Sequence, residues 1–314
     1  MKIDKWDKKI LTNLYKNSRA TLSELSKKVG LPKENIHYRI KRFEKENLIN
    51  YIPYSNFSKL GYDYFLIRIK LDPLSENYTK FIKDITKDKK TIWLSEDKLF
   101  RATDYNIIAI TLHNNFSKIQ DYFTVLAETA IIEKFELSLI RTLGFAYRDI
   151  YTAEELFESY LKTGVHRFEK ETDYTDTTLV LKLLENSRIS LTELGTKLRL
   201  SPLTIKNRIG KLKEKDIINH FKISLNFNKL EGKFVALSYS AEIPMATRNA
   251  RKIVSKYFSE VMTVSLFFTQ KRILFGRVEN EEKFLKAMSE INKANGINIS
   301  ASYENTQILK NKIF

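Results

Sequence analysis

Residues 17–43, NSRATLSELSKKVGLPKENIHYRIKRF, and residues 186–212, NSRISLTELGTKLRLSPLTIKNRIGKL, are one stretch written twice. They align without a gap at an offset of 169 positions, with the apolar letters kept and many polar letters changed. The helix signals are the same in both. Thr21 is set to cap a helix, with Glu24 three residues on completing a capping box. Leu22, Leu25 and Val29 form its inner face, and Gly30 ends it. Pro32 opens a further helix whose Ile36, Ile40 and Phe43 point inward at spacings of four and three. In the second copy Ser190 or Thr192 caps, and Leu191, Leu194, Leu198, Ile205, Ile209 and Leu212 take the inner roles. An earlier stripe of Ile10, Leu11 and Leu14 supplies one more helix. Two helices joined by a tight turn, the second short and basic, form a helix-turn-helix pattern. The extended LINYIPYSNF and IINHFKISLNF that follow read as a β wing.

The repeat continues beyond these helices. Asp7 aligns with Asp176, Arg39 with Arg208 and Asn50 with Asn219; one inserted residue then brings NFSKLG at 56–61 onto NFNKLE at 226–231. In copy one a strand is expected at 62–71, a helix at 77–88, strands at 91–98 and 105–113, a helix at 117–128 and a strand at 132–142. In copy two the same order falls at 233–243, 247–259, 262–269, 272–279, 280–295 and 297–309. That is β-α-β-β-α-β, the ferredoxin-like motif. The fold class is therefore α+β, with a winged helix-turn-helix at 1–58, a ferredoxin-like unit at 59–150, a second helix-turn-helix at 176–228 and a second ferredoxin-like unit at 229–314. Residues 151–175 form a polar, partly helical connector acting as a semi-rigid tether.

Composition narrows the function. The chain has 314 residues and a formal net charge of +16, which favours polyanions, nucleic acid first. It has no cysteine, so disulfides, thiolate zinc sites and cysteine nucleophiles are excluded. No apolar run approaches the ~18 residues of a membrane span, and MKIDKWDKKI is charged rather than signal-like. A soluble, cytoplasmic, nucleoid-associated protein is expected.

A winged helix-turn-helix followed by a ferredoxin-like unit resembles the Lrp/AsnC family of prokaryotic transcription regulators, and IDKWDKKILTNLYKNSRATLSELSKKVGL in copy one is similar to that family's opening. The resemblance implies sequence-specific binding of double-stranded DNA through the third helix, dimerisation through the β-sheets, and effectors, often amino acids, held between ferredoxin-like domains. Such regulators work as dimers, so two fused subunits build the dimer into one chain.

With the inward stripe fixed, helical geometry places the remaining side chains. On the first reading helix the candidates for DNA contact are Lys33, Asn35, His37, Tyr38, Lys41 and Arg42. On the second they are Thr204, Lys206, Asn207 and Lys211. Asn and Arg can make paired contacts to adenine and guanine edges, while Leu203 can meet only a thymine methyl. Lysines contact phosphate and supply affinity without sequence information. Residues 27–45 hold seven Lys/Arg against two Glu, and residues 196–215 hold seven against one, so these short segments carry most of the excess charge. Arg39 and Arg208 sit beside the buried stripe, where an internal ion pair and a phosphate contact are both open. Because the two faces differ, the expected site has two unlike half-sites rather than a palindrome.

Effector binding by the family's usual route is not expected. The resemblance implies a glycine-containing turn between the second and third strands. Here that place reads RATDYNII, offering Thr103, Asp104 and Asn106, and FTQKRIL in copy two, with no glycine in either. A solvated hairpin is the plainer reading. Self-association through the ferredoxin-like sheets is expected; a membrane, a metal and a cofactor are not. Two rivals stand beside the regulator. One is an architectural DNA-binding protein of weak specificity. The other is an enzyme, because tandem domains of this kind also occur in sirohaem decarboxylases, which are expected to use cleft histidines. The four histidines are His37 on a reading helix, His113 at a strand end and read as a surface residue, His166 in the connector and His220 on a wing. No catalytic constellation is evident.

Overall fold

The computed structural model describes residues 1–97, 105–115, 118–119, 121–122, 124, 132–147, 157–162, 172–241, 244–266, 269, 271–294, 297–303 and 306–312. Copy one opens with helices α1 (Lys5–Lys16), α2 (Leu22–Val29) and α3 (Lys33–Lys45), followed by strand β1 (Ile49–Ser55). Then come β2 (Asp63–Leu71), α4 (Tyr78–Lys87), β3 (Thr91–Asp97), β4 (Ile107–His113), helical residues within 118–124, and β5 (Ile132–Tyr147). Copy two repeats the order as α5 (Tyr174–Glu185), α6 (Leu191–Leu198), α7 (Pro202–Glu214), β7 (Ile218–Leu225), β8 (Lys233–Ala241), α8 (Pro244–Tyr257), β9 (Glu260–Leu266), β10 (Lys271–Val278), α9 (Glu281–Lys293), β11 (Ile297–Tyr303) and β12 (Thr306–Asn311). The connector differs from expectation. It contains a strand, β6 (Phe157–Lys162), laid antiparallel on β5, and α5 begins before residue 176.

The helix ends follow local chemistry. Thr21 and Glu24 close a capping box on α2, and Asp4 and Asp7 close another on α1. Ser190, of the two candidates, caps α6. Gly30 ends α2 in the left-handed region at φ 82°, whereas Arg199 takes that conformation at φ 55° after α6, where a side chain costs about 1 kcal/mol. Pro32 stands at the cap of α3 without a side-chain hydrogen bond, while Ser201 caps α7 by accepting from the Thr204 amide.

The segments read as wings are strands, as expected, and their partners lie in the other copy. β1 and β7 pair with each other, antiparallel, from Ile49 opposite Leu225 to Ser55 opposite Ile218. Reciprocal hydrogen bonds flank this two-stranded sheet. The Ser18 amide donates to the Phe221 carbonyl (2.7 Å) and the Ser187 amide to the Tyr51 carbonyl (2.8 Å). The Asn56 amide donates to Ile217 (2.9 Å) and the Asn226 amide to Leu48 (2.8 Å). The Ser18 and Ser187 hydroxyls meet each other at 3.3 Å. A pseudo-two-fold axis thus passes between the helix-turn-helix units, with the self-complementary contacts of a symmetric dimer.

The ferredoxin-like units obey the same symmetry. Their strands join in the order β11-β8-β10-β9-β5-β2-β4-β3-β12. The first half of β5 pairs with β2 of its own unit, and its second half, beyond the expected end, covers the edge strand β9 of the other. β11 pairs with β8, and β12 returns to cover the edge strand β3. The strand expected at 297–309 is therefore two strands serving two sheets. On one face of each sheet pack its helices: Phe81 and Ile85 over Ile67, Ile69 and Ile107, and Phe284, Ala287 and Ile291 over Val235, Leu237 and Leu274. The other faces meet across the copies, where the Trp93 ring lies 6.0 Å from Phe234 and 5.5 Å from Phe275.

Trp93 is fully buried in this shared core. Trp93→Ala should cost about 3–5 kcal/mol, read as a lower midpoint in chemical denaturation. The copies share one core, so both should unfold in a single transition in the wild type.

Candidate nucleic-acid interface

The outward faces of α3 and α7 are built as their apolar stripes require. Ile36, Ile40 and Phe43 are buried on one helix, and Ile205, Ile209 and Leu212 on the other. This leaves Lys33, Glu34, Asn35, His37, Tyr38 and Lys41 exposed on α3. On α7 Leu203, Lys206, Asn207 and Lys211 are exposed. Two of these are large apolar or aromatic side chains left in solvent: Tyr38 at 70% and Leu203 at 64% exposure.

Each third helix is stapled to the first helix of its unit. Arg39 Nη1 donates to Asp7 (2.6 Å) and Asp4 (2.8 Å), and Arg208 Nη1 donates to Asp176 (2.7 Å) and Asp173 (2.8 Å). Burial would raise the Asp4 carboxyl, but hydrogen bonds from the Asp7 amide and from Arg39 hold it below its ordinary range. Of the two uses open to Arg39 and Arg208, the internal ion pair is the one formed.

Arg42 departs from expectation. It was placed on the DNA-contacting face, yet it is half-buried and its Nη2 donates to Asp7 at 2.7 Å. To reach a guanine it would have to leave a carboxylate that is itself buried. Its counterpart Lys211 is exposed and makes no ion pair among the described residues. Thr204 is also partly committed, since its amide and its hydroxyl both meet the capping Ser201 hydroxyl. Lys41 donates to Glu44 (2.9 Å) but keeps most of its surface in solvent.

Two arginines that the sequence reading passed over belong here. Arg19 and Arg188 are equivalents that reach across the pseudo-two-fold axis. Arg19 Nε donates to the Ser187 carbonyl and lies over the Phe221 ring at 4.2 Å. Arg188 Nε donates to the Ser18 carbonyl and lies over the Tyr51 ring at 4.3 Å. With His37, Lys41 and Ser190 they line a cleft of about 530 Å³ between α3 and the start of α6. Their only sequence signal was the repeated NSR triplet, which gives no hint of a partner in the other copy.

The expected effector residues fare differently. Thr103 and Asp104 lie outside the described residues. Asn106 is buried rather than in a solvated hairpin, and its amide group both donates to and accepts from the Leu71 backbone at 2.8 and 2.9 Å. It holds β4 to the end of β2. His113, expected at the surface, is 1% exposed, with its ring near Phe65 and Tyr122. His220 is half-buried between the copies, 5.2 Å from the Tyr54 ring. His166 lies outside the described residues. Among those described, no three His, Asp or Glu side chains gather as a metal site would need, and no helix is long and apolar enough to cross a membrane.

Residues 3–50 and 173–219 each match the winged helix-turn-helix DNA-binding family. An uncharacterized HTH-type transcriptional regulator of Pyrococcus furiosus is 44% identical over 88 residues, 27% of this chain and 57% of that one. The HTH-type transcriptional regulator FL11 of the same organism is 36% identical over 85 residues, 26% and 56% of the two chains. The chain spans about half the length of the curated relatives it matches. These matches agree with the two helix-turn-helix units read from the sequence. Across the whole molecule the fold is similar to that of the siroheme decarboxylase NirDL, with a TM-score of 0.58, 15% identity, and coverage of 96% of this chain and 92% of that one.

Burial, then neighbouring cations, lowers the two buried histidines from 6.5 to about 4: Lys90 acts on His113, and Lys222 and Lys213 on His220. An unfolded chain takes up these protons near pH 6.5 and the folded one only near pH 4. Stability is therefore complete above pH 6.5 and falls as the pH drops toward 4. In urea titrations across that range, His113→Gln should remove part of the slope, up to about 3 kcal/mol.

Proposed function

We propose that the chain is a sequence-specific, double-stranded DNA-binding transcription regulator of Lrp/AsnC type, cytoplasmic and nucleoid-associated, that acts as a dimer fused into one polypeptide. The observation that carries this reading is the pseudo-two-fold pairing of β1 with β7, which relates two reading helices whose outward residues differ. A symmetric dimer reads a palindrome because protein and DNA share a two-fold axis. This chain keeps the axis in its backbone and breaks it in its side chains, so it reads two unlike half-sites.

Lys33, Lys41, Lys206 and Lys211 bind phosphate, while Asn35, His37, Tyr38, Thr204 and Asn207 face base edges. Arg42 serves first as a staple and reaches DNA only if Asp7 releases it. The edge strands β3 and β9, through which two subunits would join, are taken within the chain, so the working unit is one polypeptide. Further self-association uses other surfaces. No small-molecule effector is proposed.

One observation favours a second reading, an enzyme acting on a tetrapyrrole: the whole-chain likeness in fold to a siroheme decarboxylase. At 15% identity that likeness speaks for the fold alone. The burial of His113 and the place of His220 between the helix-turn-helix units favour the regulator.

Selection of bound duplexes from a random pool should return two unlike half-sites, with a specificity ratio of about 10³ or more at fixed salt. A palindrome would remove the asymmetric reading, and weak discrimination would favour the architectural one. Lys206→Gln with Lys211→Gln should lower the slope of log affinity against log salt by about 1–2. The purified protein should show no Soret band, and adding an iron tetrapyrrole should leave its spectrum unchanged.

A further inference from the structure

The outward stripe of each reading helix contains one pair of residues four apart in its N-terminal half, the part that enters the major groove. On α3 the pair is Glu34 and Tyr38; on α7 the equivalent positions hold Leu203 and Asn207. All four are exposed. We infer that these pairs read opposite base chemistry, with α7 selecting an A·T half-site and α3 a half-site containing a C·G pair. The inference rests on the DNA-binding reading above and specifies it.

Leu203 offers no polar group, and in the major groove its natural apolar contact is the thymine methyl. Asn207, one turn on, presents a donor and an acceptor side by side, matching the N6 and N7 edge of adenine. A leucine and an asparagine on one stripe thus ask for thymine and adenine at neighbouring positions. Facing a guanine, Leu203 would leave O6 and N7 without a donor, and both would be stripped of water.

Glu34 has the reverse character. An ionised carboxylate only accepts, and cytosine N4 is the donor it is paired with in the major groove. It repels the O6 and N7 acceptors of guanine and every phosphate. Glu34 makes no ion pair among the described residues, so it is not held by a neighbour. It also sits in the first turn of a helix whose Pro32 cap donates no side-chain contact, where an acid is favoured by the helix dipole. That second role affects stability and carries no base preference, which lets experiment separate the two. Tyr38 differs from Asn207 in lacking the paired donor and acceptor, so adenine is not favoured at the position it faces.

The test exchanges the faces in the full-length chain. Leu203→Glu with Asn207→Tyr gives α7 the face of α3, and Glu34→Leu with Tyr38→Asn does the reverse. Each pair changes exposed positions only, and circular dichroism and a thermal melt verify the fold. Random-pool selection on the wild type should yield one T/A-containing half-site and one with a C·G pair. The first exchange should convert the site toward a palindrome of the C·G half, and the second toward a palindrome of the A·T half. Replacing the T·A contact by C·G in the wild-type site should weaken binding about ten-fold or more, a loss that the first exchange abolishes. If both exchanged proteins select the wild-type site, the inference is wrong while the DNA-binding reading stands. If the wild type itself enriches no duplex, the underlying reading fails, and the inference with it.

Discussion

The antiparallel ladder between β1 and β7 governs the geometry of the two exposed helix faces, those of α3 and α7. It is short, but it is reinforced where a two-stranded sheet alone would be marginal. Reciprocal amide bonds at Ser18 and Ser187 and the crossed arginines Arg19 and Arg188 fix the turn before α2 against the strand of the other copy. The reading helix of each unit is in turn stapled to its first helix by Arg39 or Arg208. A chain of short, mostly half-buried polar contacts therefore runs from the axis outward to the exposed faces of α3 and α7. The spacing of the two helices is thereby fixed by the fold itself, and a partner that met both faces would spend little of its binding free energy on ordering the protein.

The ferredoxin-like units repeat the arrangement with larger, apolar surfaces. Each sheet has helices on one side and the other sheet on its second side, and each gives up its last strand to the neighbour's edge. That exchange covers the edge strands through which unpaired sheets tend to associate. Trp93, Phe234 and Phe275 make the shared layer dry and continuous with the helix-turn-helix core. Dimerisation in this molecule is thus part of folding rather than a later event.

How much of this could be read from the letters divides along sequence distance. The helices, their inward stripes and the caps at Thr21 and Ser190 were legible because their determinants lie within four residues of each other. The strand order followed from two aligned patterns. The partner of the wing strand was not legible, because a two-residue periodicity shows that LINYIPY is extended but not what it pairs with. Arg42, Asn106 and His113 were misplaced for a related reason. Each is polar, and each meets a partner far along the chain: Arg42 meets Asp7 and Asn106 meets Leu71, both 35 positions away, and the His113 ring packs on Phe65 from another strand. The exposed reading faces, by contrast, were identified correctly as faces, since exposure there is what remains once the buried stripe is known.

The pair at the centre of the β1–β7 ladder, Ile52 opposite Lys222, illustrates what fusion makes available. These positions are equivalent in the two copies, so in a homodimer the same side chain would face itself across the axis. Two lysines there would be buried against one another, a like-charge contact that a dry interface does not tolerate. Here one copy supplies a fully buried Lys222, whose ammonium lies over the rings of Tyr15 (5.1 Å) and Tyr54 (4.6 Å). The equivalents of those tyrosines in the other copy are Leu184 and Ser224, neither of which offers a cation a π face. The asymmetry is therefore matched across the axis, residue by residue: a cation with two aromatic partners on one side, and aliphatic or small groups on the other. A single gene copy acting as a homodimer has no means of writing both halves of such a contact. The same freedom, exercised on the outward faces of α3 and α7, is what allows one polypeptide to present two different surfaces on either side of its pseudo-two-fold axis.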